Sequence, residues 1–102
     1  MFLSHPSKAD GHFARALELM RQHDWASAEA ALREGLQLDP LRQHAHVDRA
    51  MVHLGYCLDK LESYVEAYDV YKQALELNAE SEAAQTGLAC VCMHLKRYRE
   101  AL

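Results

Sequence analysis

The sequence predicts an all-α protein built as an array of antiparallel helix pairs. Three observations carry that expectation. Apolar residues recur at three- and four-residue intervals along most of the chain, the period of helices with one buried face. The stretch Asp48–Ser81 has counterparts before and after it at a spacing near 34 residues, and self-similarity at such a period marks stacked supersecondary units. Glycine and proline are scarce, at 4 and 2 of 102 residues, so little interrupts a helix.

The repeated unit has a definite order of large and small residues. Met51-x2-Leu54-Gly55-x2-Leu58 is followed by Tyr64-x2-Ala67-x3-Tyr71-x2-Ala74. This order resembles the tetratricopeptide repeat, W-x2-L-G-x2-Y…A-x3-F…P, with Met51 and Ala79 in place of the leading aromatic and the closing proline. Upstream, Trp25-x2-Ala28-x3-Leu32-x2-Gly35 and Asp39-Pro40 fit its second half, behind a degenerate first half, His12-x2-Arg15-Ala16-x2-Leu19. Downstream, Leu88-Ala89-x2-Cys92 and Tyr98-x2-Ala101 open a third unit. The resemblance covers all but the first eight residues. It implies a right-handed superhelical array of about two and a half repeats, five helices plus a C-terminal turn. It names an architecture and a binding module, not a partner.

In chain order, residues 1–8 are expected to form a flexible arm, repeat one to span 9–42, an extension 43–47, repeat two 48–81 and a partial repeat three 82–102. The first helix is predicted from Ala9 to Gln22, with Ala16 and Leu19 on one stripe and Phe13, Leu17 and Met20 on the next. His23-Asp24 is a turn in which Asp24 caps a second helix reaching Leu38. Trp25 and Tyr64 lie 39 residues apart, Tyr64 and Tyr98 only 34. The surplus of five falls in Leu41–Val47, which lacks Gly and Pro. The reading preferred here extends the third helix back to Pro40, giving Pro40–Leu61; a longer loop is the alternative. Ser63-x-x-Glu66 reads as a capping box for a fourth helix ending near Leu77. A fifth runs from Ser81 to Leu95, and Arg99–Leu102 is the first turn of a sixth.

Composition excludes several function classes. Half the residues are apolar, a quarter charged, and the formal net charge is −4. Beyond Lys96-Arg97 and Arg99 there is no basic stripe, so the electrostatic footprint of a nucleic-acid binder is missing. No apolar run approaches the roughly 20 residues of a membrane span. Met1–Pro6 carries neither a basic start nor an apolar core, so no signal peptide is expected. Three cysteines on predicted helices suggest reduced thiols and a cytoplasmic setting.

Small residues at Ala16, Ala28, Gly35, Gly55, Ala67, Ala74, Ala89 and Ala101 are expected where helices approach closely, with Trp25, Tyr64 and Tyr98 filling the junctions. In the family that the chain resembles, ligands bind the inner face formed by the first helix of each pair. Transferring its inward positions gives Asp10, Phe13, Leu17, Met20 and Arg21, then Arg49, Val52, Tyr56, Asp59 and Lys60, then Ala83, Thr86, Cys90, Met93 and His94. Members that grip a peptide carboxylate use Lys, Asn and Arg, where this chain has Phe13, Leu17, Tyr56, Thr86 and Cys90. That clamp is absent. Phe13, Leu17, Met20, Val52, Tyr56, Cys90 and Met93 form instead an apolar stripe edged by Arg21, Arg49, Asp59 and Lys60. Such a stripe suits an amphipathic helix or an extended apolar peptide. A compact core, or cover by Phe2 and Leu3, is the alternative.

Seven histidines raise a metal site. His53 and Cys57 share a helical face, with His46 two turns back, yet no fourth ligand is evident and Cys90-x-Cys92 diverges on a helix. No metal, cofactor or catalytic constellation is expected. Without a covering sixth helix, Leu88, Val91, Cys92 and Leu95 are expected to meet another copy, in a homodimer formed through the C-terminal end. The expected function is a non-enzymatic scaffold that binds a protein through an apolar segment, an assembly or secretion chaperone being one form. A self-association module and a regulatory part of a larger enzyme are the alternatives.

Overall fold

A computed structural model describes residues 8–39 and 46–101 of the chain. The described residues form five helices and no strand: α1 (Lys8–Arg21), α2 (Trp25–Gln37), α3 (Val47–Lys60), α4 (Tyr64–Leu77) and α5 (Glu82–Ala101). The expected arm lies outside the described residues except for Lys8, which opens α1. Phe2 and Leu3 lie outside them too.

Local chemistry fixes the two tight turns. α1 ends where the His23 amide bonds the Met20 carbonyl at 3.0 Å and the Asp24 amide bonds that of Leu19 at 2.9 Å. At the end of α3 the Glu62 amide bonds Asp59 at 3.0 Å and the Ser63 amide bonds Leu58 at 2.8 Å. Both are Schellman closures, which place one residue in the left-handed region. Here those residues are His23 (φ 58°) and Glu62 (φ 63°) rather than glycine. Asp24 then caps α2 by accepting the Ser27 amide at 3.3 Å. Ser63 precedes α4 without a side-chain cap, so its half of the expected capping box does not form. Ser81 caps α5, its Oγ accepting the Ala84 amide at 3.2 Å.

Two expectations about helix lengths are corrected. The third helix does not run through from Pro40. His46 stands just outside α3 at φ −115°, ψ 22°, a conformation that cannot continue a helix, and residues 40–45 lie outside the described set. The C-terminal turn is not a separate sixth helix either. α5 continues unbroken for 20 residues, through the positions where a turn was expected.

The pairs α1/α2 and α3/α4 each pack along their length, α2 packs on α3, and α5 closes on α4 with a lighter contact to α3. One apolar cluster joins them, with Leu32, Cys57, Leu58 and Val91 fully buried. Close approach depends on missing side chains. A Cβ at Gly35 would stand 2.5 Å from the Phe13 ring. The Tyr71 ring is lodged between Gly55, where a Cβ would stand 2.8 Å from it, and Gly87. Ala16, Ala28, Ala67 and Ala74 are buried as expected. Ala89 is exposed, with no helix of the described residues on that side of α5; Ala84 and Val91 supply its buried face instead. The side chains of Tyr98 and Ala101 lie outside the described residues.

Candidate functional site

The first helix of each pair turns toward a common inner face. A hollow of about 540 Å³ opens there. Met20 borders it from α1, and Val52, His53, Tyr56 and Asp59 from α3. Ala83, Thr86, Gly87 and Cys90 border it from α5, with Glu82 at the helix start. Tyr71 reaches it from the outer helix α4. A second hollow of about 250 Å³ lies between α1 and the start of α3. Asp10, Phe13, Ala14 and Leu17 line one side, and His46, Arg49, Ala50 and His53 the other. His53 borders both.

Most residues expected in the stripe are therefore brought together. Phe13, Met20 and Val52 are half-buried and lean on the core, whereas Leu17 (43 % exposed) and Tyr56 (40 %) face outward. Tyr56 is held from two sides. The Trp25 ring meets it edge-on at 5.5 Å between centroids, and the Lys60 ammonium stands 5.3 Å from its centroid, an attraction of cation to ring face. Met93 (56 % exposed) lines neither hollow. Arg21 points to solvent and bonds Glu18 at 3.4 Å.

Asp59 is tied down by His94 of α5, whose Nδ1 lies 2.7 Å from its Oδ1; this pair links α3 to α5 at the edge of the larger hollow. His94 also meets the Tyr64 ring, with centroids 5.1 Å apart. Burial, then the positive Arg49, holds the His53 imidazole below its ordinary value. Burial, then the carboxylate of Asp59, pushes the Tyr71 phenol well up. Cys57 is wholly buried, and burial, then Glu29, pushes its thiol up to about 11. A thiol held protonated and away from solvent is a poor metal ligand. Among the described residues no group of three or more His, Cys, Asp or Glu is arranged to hold a metal.

Sequence reasoning missed His53 as a wall shared by the two hollows, having weighed it only as a ligand for metal. It also missed Tyr71, which entered only as a large position of the repeat pattern. The glycines at 55 and 87, which let that ring through to the inner face, were the available signal.

The structure divides the residues of the expected self-association surface. Val91 is fully buried in the single chain and Leu88 is half-buried on the same core, because α4 covers that face of α5. Cys92 remains exposed and Leu95 half-buried, beside an open hollow that they share with Lys96 and Arg99.

Residues 9–42 match one family model described as Tetratricopeptide repeat, and residues 48–81 match a second of the same description. The chain belongs to the tetratricopeptide repeat family. Repeats of this family indicate a protein–protein interaction scaffold, generally without catalytic activity. A comparison with curated proteins found no match. Among the described residues of this tetratricopeptide repeat protein, no helix is long and apolar enough to cross a membrane.

Proposed function

We propose that the chain is a non-enzymatic scaffold whose inner face takes an apolar segment of another protein, as an amphipathic helix or an extended peptide. The observation that carries this reading is the larger hollow. Side chains from α1, α3 and α5 converge there around Tyr56, with Met20, Val52, Ala83 and Cys90 supplying apolar walls. Asp59 and Glu82 stand at the hollow's border and Arg49 at its neighbour's, charges that set the direction of a bound segment. Aromatic and thioether side chains around an open hollow favour an adaptable apolar contact. A cytoplasmic setting and the role of an assembly or secretion chaperone, holding apolar segments of a client, belong to the same reading.

Replacing Leu17 and Tyr56 together with Glu tests it. Both face solvent, so the new charges stay hydrated and the circular dichroism should match that of the parent chain. A buried, unpaired charge would instead cost several kcal/mol and unfold so small a domain. Tagged parent chain is expected to retain a stoichiometric foreign protein from its own cell lysate, and the folded variant to lose it. Equal retention by the two would overturn the groove assignment.

A further inference from the structure

The end of the molecule formed by the α3–α4 turn and α5 carries two open hollows that share Leu95. One, of about 980 Å³, is lined by Leu61 at the end of α3 and Val65 at the start of α4, each followed in sequence by a carboxylate, Glu62 and Glu66. Val65 is 66 % exposed and Leu61 36 %, which puts apolar surface beside two carboxylates. The other, of about 520 Å³, is formed by Cys92, Leu95, Lys96 and Arg99. Their spacing puts these four on one stripe of α5, apolar toward Leu95 and basic beyond it. Arg97 and His94 line the first hollow from α5, so the basic stripe beside it consists of Lys96 and Arg99.

An acidic-bordered apolar patch and a basic-bordered apolar patch thus lie side by side around one leucine. A two-fold contact requires a surface that is its own complement, and this arrangement supplies one. A rotation about an axis near Leu95 would lay the basic stripe of one α5 over the acidic hollow of a second copy, and the reverse. We propose that a second copy of this chain docks here as an isologous dimer, with Lys96 and Arg99 of each copy facing Glu62 and Glu66 of the other across a contact of Leu61, Val65 and Leu95. Glu66 already bonds Arg33 of its own chain at 2.9 Å, so Glu62 is the acid on which the contact turns. This surface lies apart from the inner hollows and does not depend on the proposed groove.

Sedimentation equilibrium on the full chain tests the proposal. The parent chain is expected to dimerise at roughly 100 µM, the range of a small surface with few buried anchors. Raising NaCl from about 50 to about 500 mM should weaken the dimer, since exposed charge pairs are screened. Glu62→Lys and Lys96→Glu each reverse one charge of both symmetric pairs, and each should weaken self-association at least about tenfold. Mixed in equal amounts, the two variants should associate with each other to within about threefold of the parent affinity, because each then presents the partner that the other lacks. Both positions are exposed, and matching circular dichroism verifies their folding. A parent chain that stays monomeric at about 500 µM, a dimer indifferent to salt, or a mixture that does not recover would each overturn the proposal. Leu17→Glu/Tyr56→Glu should dimerise like the parent chain, which separates failure here from failure of the groove.

Discussion

Replacing Gly55 with alanine should destabilise the protein, against the ordinary expectation for a helix. Alanine in a helix interior is favoured over glycine by about 0.8–1.0 kcal/mol. At this site the added methyl would stand 2.8 Å from the Tyr71 Cζ, well inside contact distance. The ring is 2 % exposed and is lodged against Gly87 as well, so a methyl at Gly55 must displace it toward the inner hollow that it borders. Overpacking a filled core costs about 1–3 kcal/mol. Set against the helix gain, the net loss is about 1 kcal/mol, which in a domain of this size lowers Tm by roughly 4–8 °C. Thermal unfolding followed by circular dichroism reads it directly. Gly55→Ala together with Gly87→Ala should lose more than the sum, since the ring can then retreat toward neither helix. In a Tyr71→Leu background the sign should reverse, because the clash is removed and the helix gain remains. A higher Tm for Gly55→Ala in the parent chain would refute the claim that this ring sets the spacing of α3, α4 and α5.

Further outcomes follow from the same geometry. Asp24→Ala removes a formed cap and should cost about 1 kcal/mol, whereas Ser63→Ala, which loses no cap bond, should change the urea midpoint little. Because the folded His53 value lies below its ordinary 6.5, the folded state resists protonation there. The stability that His53 contributes is present above the unfolded value and is lost as pH falls through the folded one. Urea midpoints should therefore decline on acidification below about pH 6.5, and less steeply in His53→Gln. The Cys57 thiol has the opposite sign: its contribution is complete below the ordinary value of 9.0 and disappears as pH rises toward about 11. Iodoacetamide on native protein should accordingly label the exposed Cys90 and Cys92 and spare Cys57, which mass spectrometry of the digest would show.

Much of the fold was legible because it depends on local rules. Asp24, the paired small residues and the recurrence of aromatic-x2-Ala each state their role within a few positions, and α1, α2 and α4 fall within a residue or so of where those signals put them. The site was legible to the extent that helix faces are: Phe13, Leu17, Met20, Val52, Tyr56 and Cys90 all border the inner hollows. Tyr71 was not, because its ring crosses from an outer helix to the inner face, and no periodicity on a single helix reports a crossing. The start of α3 was missed for a related reason. Leu41–Val47 contains no residue that breaks a helix, and nothing in the identity of His46 announces the φ −115°, ψ 22° that it takes just outside α3.

The unbroken α5 shows how such a balance decides between two readings of one motif. Lys96 occupies, two residues before Tyr98, the place of His23 before Trp25 and of Glu62 before Tyr64. Those two residues adopt the left-handed conformation, at about 1–2 kcal/mol for a side chain with a Cβ. In both cases the following helix offsets that strain by burying its inner stripe: Ala28, Ala31, Leu32 and Leu36 in α2, and Ala67, Val70, Tyr71 and Ala74 in α4. Among the described residues of α5 none beyond Val91 is buried, so no comparable stripe follows Lys96 there. Continuing α5 avoids the strain and adds a backbone hydrogen bond with each residue. The aromatic-x2-Ala signal is the same at all three places; what differs, among the described residues, is the apolar surface buried beyond it. The straight course of α5 keeps Cys92, Leu95, Lys96 and Arg99 together on one stripe, the stripe on which the proposed two-fold contact depends.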